Sequence, residues 1–100
     1  MPVGPSVVFT AAARAELIDA QHWYESEAPG LGRRFRAEID SAIERISTNP
    51  LQFPAVHRNV RRALLRHFPY MLFFVIEGDL LLLIACFHAS RDPRQWQQRT

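Results

Sequence analysis

The run from Phe68 to Phe87 is apolar almost throughout and about the length that crosses a bilayer, yet Glu77-Gly78-Asp79 stands at its centre. Charge is most expensive at the middle of a membrane span, so the segment reads instead as two buried strands folded back on each other. Tyr70 to Glu77 and Leu80 to His88 are the strands. Gly78-Asp79, with Gly at the first central position, predicts a two-residue type II′ turn. Val60 to Phe68 is a third run of strand length, and three antiparallel strands are the simplest arrangement. Both long strands are apolar at either parity, whereas a sheet with one wet face alternates. Both faces therefore need cover, and two readings of the second face stand open. Either a curled sheet, the proline loop and the polar tail close over it, or a partner chain does.

The first half carries the cover for one face. Ser6 to Phe9 is a short strand-like run, and Thr10 is a good N-cap for a helix over Ala11 to Ala28. Ala13, Leu17, Ala20, Tyr24 and Ala28 fall in one helical stripe, flanked by Glu16, Trp23 and Glu27. Pro29-Gly30 breaks the pattern, and Leu31, Phe35, Ile39, Ala42 and Ile46 form a second stripe running to Thr48. The result is a helical hairpin. Asn49-Pro50 ends it, and Leu51 to Asn59, next to Pro50 and containing Pro54, reads as an extended connection with little regular structure. The tail, Ala89 to Thr100, is polar; Trp96 is its apolar anchor onto the sheet, and Asp92 is placed to cap or to pair with Arg91 or Arg94. The fold class expected is α+β, with the N-terminal strand joining the three C-terminal ones in an antiparallel sheet and the helical hairpin on one face.

At 100 residues, with 48% hydrophobic and 22% charged positions, the chain suits one domain with one core, residues 1–100. A single cysteine, Cys86, excludes an internal disulfide and a cysteine zinc cluster, and points to a reducing, cytoplasmic setting. Met1 to Pro5 is neutral, and the apolar stretch after it is too short for a secretory leader. All 12 basic residues are arginine; five face seven acidic residues before Pro50, and seven face three after it. An anionic partner is therefore to be sought in the second half, at Arg58, Arg61, Arg62 and Arg66 and at Arg91, Arg94 and Arg99. A solvated edge strand guarded by charge accounts for the same pattern.

No spacing in the sequence demands catalysis. A metal-independent ribonuclease needs a base, an acid and cations, and arginine supplies only the last. His67, His88, Tyr70, Glu77 and Asp79 are the proton carriers near the basic half, and each also fits a structural role. His22 and His57 make no metal-ligand spacing with the others, Cys86 sits in a core-like run, and Gly30 and Gly32 lack the strand a phosphate-binding loop requires. No cofactor, metal or membrane is called for, and no nucleic-acid motif of specific spacing appears.

The order of these parts carries a resemblance. A strand, a helical hairpin, Asn49-Pro50, Val60-Arg61-Arg62, Phe68-Pro69-Tyr70 and a tail of His88, Arg91-Asp92-Pro93 and Trp96 together resemble the ParE branch of the RelE/ParE toxin superfamily over nearly the whole chain. The resemblance implies the toxin of a bacterial type II toxin–antitoxin pair, as in plasmid stabilisation, neutralised by a cognate antitoxin that covers the unmatched apolar surface. It implies a non-enzymatic inhibitor of DNA gyrase; the alternative is a RelE-like, ribosome-dependent messenger RNA endonuclease. That branch typically uses lysine or arginine with a His or Glu and a tyrosine near the C-terminus. This chain has no lysine, and its tyrosines are Tyr24 and Tyr70 only. The expected target surface is Arg61, Arg62, Arg66, Arg91 and Arg94, with His88, Asp92 and Trp96 as the tail motif and Trp23 and Tyr70 as antitoxin contacts. Sequence-specific DNA binding by this chain alone is not expected.

Overall fold

The computed structural model describes residues 6–100; Met1 to Pro5, where the sequence argues against a leader, lie outside the described residues. The elements run β1 (Ser6–Phe9), α1 (Ala11–Glu27), α2 (Leu31–Thr48), β2 (Ala55–His57), β3 (Val60–Leu64), β4 (Tyr70–Glu77), β5 (Leu80–His88) and α3 (Arg94–Gln97), with one 3-10 turn at Pro50–Gln52. Five strands form one sheet in the order β1-β5-β4-β3-β2. The α+β class and the helical hairpin on one face are as the sequence predicts. The antiparallel expectation is corrected at one seam: β1 runs parallel to β5, pairing Ser6 with Leu80 through Phe9 with Leu83. The long crossover between them leaves either direction open, so no turn length reveals it.

A second correction is β2, inside the segment expected to lack regular structure. It pairs with β3 through Ala55–Arg61 and His57–Val60. Three residues at the sheet edge tolerate the flanking Pro54, whose ring could not sit in a central strand. Arg58, in the tight turn after β2, takes a left-handed φ of 52°.

Thr10 caps α1 as expected, its Oγ1 accepting the Ala13 N–H at 3.1 Å. Ala13, Leu17, Ala20 and Tyr24 are buried, but Ala28 lies past the helix and is exposed. Gly30 starts α2 with φ 86°, and the Glu25 carboxylate accepts the N–H groups of Gly30 and Gly32, each at 3.0 Å. Glu25 thus satisfies donors that a helix start leaves unpaired. Gly32 allows the helices to close: a Cβ there would lie 2.8 Å from the Gln21 carbonyl oxygen.

Phe35, Ile39, Ala42 and Ile46 of α2 pack with Leu72, Phe74, Leu81 and Leu83 in the core between helices and sheet. Opposite, Val60, Phe73, Val75, Ile84, Ala85 and Phe87 form a second cluster with Trp96. A β-bulge connects the two patterns. Phe73 opposes Ala85 while Phe74 opposes Leu83, leaving Ile84 as the extra residue. Ile84 and Ala85 therefore share one face, and the run of β5 fails to alternate. The tail covers the centre of that second face: Trp96 is 3% exposed and stacks on Phe73 at 4.1 Å between ring centroids. Of the two readings left open, closure by the tail thus accounts for much of the apolar face. The Gly78 φ of 59°, with Glu77 opposite Leu80, matches the expected turn. The apolar run that suggested a membrane span is this hairpin, and no helix among the described residues is long and apolar enough to cross a membrane.

Candidate functional site

Glu16, Asp19 and Trp23 project from one flank of α1 at helical spacing, which carries them to the end of the sheet where β4 begins and β5 finishes. There they meet Tyr70, His88 and Arg91 around an open cleft of about 300 Å³. Pro69 and its neighbours shape that end. Tyr70 N–H donates to the Phe68 carbonyl at 2.8 Å, and Ala89 N–H donates to the Pro69 carbonyl at 2.8 Å. Tyr70 stands directly across the ladder from His88, the rings edge to face at 5.2 Å. Tyr24 and Phe35 pack against the Tyr70 ring, and Phe68 packs edge-on against both of them.

Ser90 N–H donates to His88 Nδ1 at 3.0 Å, and Ser90 Oγ lies 2.8 Å from the same nitrogen. Nδ1 therefore serves as the acceptor for the Ser90 backbone. Burial, and to a smaller extent Tyr24 and Cys86, raises the Tyr70 phenol above its ordinary value, so it remains a donor at neutral pH. Burial, and then the Glu16 charge, pushes the Cys86 thiol up to about 12, which removes it as a nucleophile. Trp23 is 56% exposed and lies edge-on to Tyr24. Among the described residues no three His, Cys, Asp or Glu side chains are grouped to hold a metal.

Arg91 lies between this cleft and a second pocket of about 250 Å³ on the far face of the sheet, which it lines with Arg62 and Trp96. Its guanidinium sits 3.9 Å over the Phe87 ring, 3.5 Å from Glu16, and donates to Gln95. The other arginines proposed as one surface are divided. Arg61 donates to the Phe53 carbonyl. Arg94 is paired with Asp92 through both carboxylate oxygens, and Asp92 also accepts the Arg94 N–H, so of the expected roles it is the pairing with Arg94 that forms; the N-cap of α3 is Pro93. These bonds hold the Asp92 carboxyl below its ordinary range. Arg66 and His67 belong to another corner, where Glu38 accepts both backbone N–H groups and the His67 ring. Burial works to raise Glu38, but the His67 and Arg66 hydrogen bonds outweigh it and hold it low. His67 and His88 are not brought together in the cleft.

Sequence reasoning gave Trp23 and Tyr70 to antitoxin contact, Arg91 to the target surface and His88 to the tail motif; the fold brings all four to one cleft. The same reasoning missed what Glu16 and Arg99 do at this site. Glu16 accepts the Cys86 N–H at 3.0 Å, and Arg99 donates to the Ile84 carbonyl at 2.7 Å. Only the placement of Glu16 beside the buried stripe hinted at it.

Over residues 7–93 the chain matches the family model of the ParE toxin of the type II toxin–antitoxin system parDE. It is similar in structure to a chain of the chromosomal ParDE system from P. aeruginosa, with a TM-score of 0.74 and 18% identity over 84% of this chain and 95% of that one. A chain of the RelBE2 toxin–antitoxin complex from Mycobacterium tuberculosis aligns with a TM-score of 0.58 and 22% identity, over 86% of this chain and 99% of that one. At these identities the two structures share the fold. A comparison with curated proteins gives no match.

Proposed function

The chain belongs to the ParE toxin family of type II toxin–antitoxin systems, and from that premise we propose that it arrests DNA gyrase by binding and is held inactive by a cognate antitoxin. The observation that favours a binding rather than a cleaving role is the Nδ1 of His88, which already accepts the Ser90 N–H in the cleft. The absence of lysine and of any tyrosine after Tyr70 supports the same reading. Antitoxin contact is assigned to the α1 flank, where Trp23 offers a large exposed ring beside Asp19 and Tyr70. The toxin surface toward gyrase includes Arg62 and Arg91, which share one pocket, with Arg61, Arg66 and Arg94 outside it. Setting, domain extent and action follow the same reading: one domain, acting in the cytoplasm.

Purified, antitoxin-free protein should be added to gyrase supercoiling and cleavage assays and, separately, to a translating ribosome system. Loss of supercoiling with trapped DNA breaks is expected. Codon-positioned cuts in ribosome-bound messenger RNA would replace this function with the endonuclease reading and return His88 and His67 to consideration as acid or base.

A further inference from the structure

We infer that the pocket on the tail-covered face of the sheet, between Arg62 and Arg91, docks a segment of a partner protein that carries a carboxylate beside a large apolar side chain. The floor is apolar and aromatic, formed by Phe73, Phe87, Met71 and Trp96. Two guanidiniums reach its wall. That of Arg91 is shared with Glu16 and lies flat on Phe87. That of Arg62 has no ion pair among the described residues, and its Nε is shut off from water with no hydrogen-bond partner. A guanidinium without an ion pair at the pocket wall favours an anionic acceptor, and a planar carboxylate matches its geometry.

The surroundings choose the source of that carboxylate. Leu64 lies two residues from Arg62 on the same strand, hence on the same face, and is 54% exposed opposite Met71. Together they extend the apolar floor beyond the pocket as a rim for a second side chain. A nucleic-acid backbone needs several free cations in a row. Of the two guanidiniums lining this pocket, that of Arg91 is engaged by Glu16 and Gln95, leaving that of Arg62 against a greasy floor. An acidic, apolar peptide segment fits both the charge and the surface. The inference concerns the surface given above to Arg62 and Arg91 and adds the chemistry of its occupant; its test uses neither gyrase nor antitoxin, so failure of the peptide arm and failure of gyrase inhibition are read separately.

The test is a titration of the isotope-labelled full chain with acetyl-Leu-Glu-Phe-amide, read at the Arg62 Nε–H and Trp96 indole N–H resonances. Both should shift, and acetyl-Leu-Gln-Phe-amide should bind about tenfold more weakly or worse. Arg62→Gln should lose the same preference. Leu64→Glu, at an exposed site that leaves the core intact, should weaken the acidic peptide by a similar factor through its own carboxylate beside Arg62. Equal binding of the two peptides, unshifted side-chain resonances at millimolar peptide, or the same shifts from inorganic phosphate or a short single-stranded RNA at lower concentration would each overturn the proposal.

Discussion

Arg99 and Glu16, 83 residues apart, form a two-bonded ion pair, Nη2 to Oε2 at 2.7 Å and Nη1 to Oε1 at 3.2 Å. The pair stands where a strand is missing. β1 ends at Phe9, opposite Leu83, so the edge of β5 beyond that point has no strand neighbour. Glu16 accepts the Cys86 N–H there and Arg99 donates to the Ile84 carbonyl, satisfying backbone groups around the bulge. The same contact fastens the tail, and with it Trp96, over the second face.

Glu16→Ala should therefore lower stability by about 2–3 kcal/mol, the range for losing charge-assisted hydrogen bonds to half-buried partners. Arg99→Ala should lose about 1–2 kcal/mol, because Glu16 then keeps its bond to Cys86. Urea titration gives the magnitudes. Hydrogen exchange at the Cys86 amide should accelerate most in Glu16→Ala; an unchanged rate would mean that the carboxylate does not protect this edge.

Trp96→Ala removes the ring stacked on Phe73 and should cost about 3–5 kcal/mol, as for a large aromatic removed from a core. The variant should bind a dye specific for exposed apolar surface, since the face under the tail is lined by Phe73, Phe87 and Ile84. A folded variant that binds no more dye than the parent would show that the tail is not the cover.

What was legible in the sequence tracks how each feature is encoded. The helix stripes are periodic, and Ala13 to Tyr24 and Phe35 to Ile46 came out buried as read. The Gly78 turn and the Trp96 anchor rest on single residues with one good use each. The parallel seam of β1 with β5 is a choice of partner across most of the chain, and no local pattern records it. β2 is three residues beside a proline, below the length at which periodicity speaks. The bulge at Ile84 hides for a different reason: with both faces apolar, a shift of parity changes no residue type. In the cleft, Trp23 was read from its place on the flank of the first helix stripe and Tyr70 from the Phe68-Pro69-Tyr70 triplet, and both line it. Arg61 and Arg94 were overcounted as free cations, since the Phe53 carbonyl and the geometry of Asp92 are tertiary facts.

The two glycines of the helical hairpin should respond differently to alanine. At Gly32 the added Cβ meets the Gln21 backbone oxygen at 2.8 Å, so the helices must separate, and a loss of about 1–3 kcal/mol is expected. At Gly30 the space is open and only the left-handed φ of 86° resists, a cost of about 1–2 kcal/mol partly offset by a stiffer unfolded chain. Thermal unfolding of both variants checks the order. A more stable Gly32→Ala protein would show that the helices do not close as described.

Glu25 gives the hairpin an acid-sensitive joint. Hydrogen bonds from the Gly30 and Gly32 backbones hold its carboxyl below the ordinary value of 4.5. A carboxyl lowered by folding stabilises fully above its unfolded value and loses that contribution as pH falls through the folded one. Glu38, held low by the His67 and Arg66 hydrogen bonds against burial, adds in the same direction. Stability should thus be flat with respect to these two groups above about pH 5 and fall below it. The acid slope should be shallower in Glu25→Gln, and shallower again in the double variant with Glu38→Gln. Denaturant midpoints measured from neutral pH into the acid range decide it, and an unchanged slope in both variants would remove these caps from the account.

Trp23 separates stability from partner binding. Its ring is 56% exposed and touches Tyr24 only edge-on, so Trp23→Ala should change stability by no more than about 0.5 kcal/mol. An exposed tryptophan beside a cleft is the kind of side chain that dominates an interface once a partner excludes water from it. If the antitoxin covers the α1 flank as proposed, the same substitution should weaken the complex by about 2 kcal/mol or more, roughly thirtyfold. Arg36→Ala serves as the control, since Arg36 forms an exposed pair with Asp40 on α2 and does not line the cleft. Calorimetric titration of toxin variants with the antitoxin should show a large loss for Trp23→Ala and little for Arg36→Ala. Equal affinities for the parent and Trp23→Ala would move the antitoxin contact off this flank and leave the exposed ring without a partner-binding role.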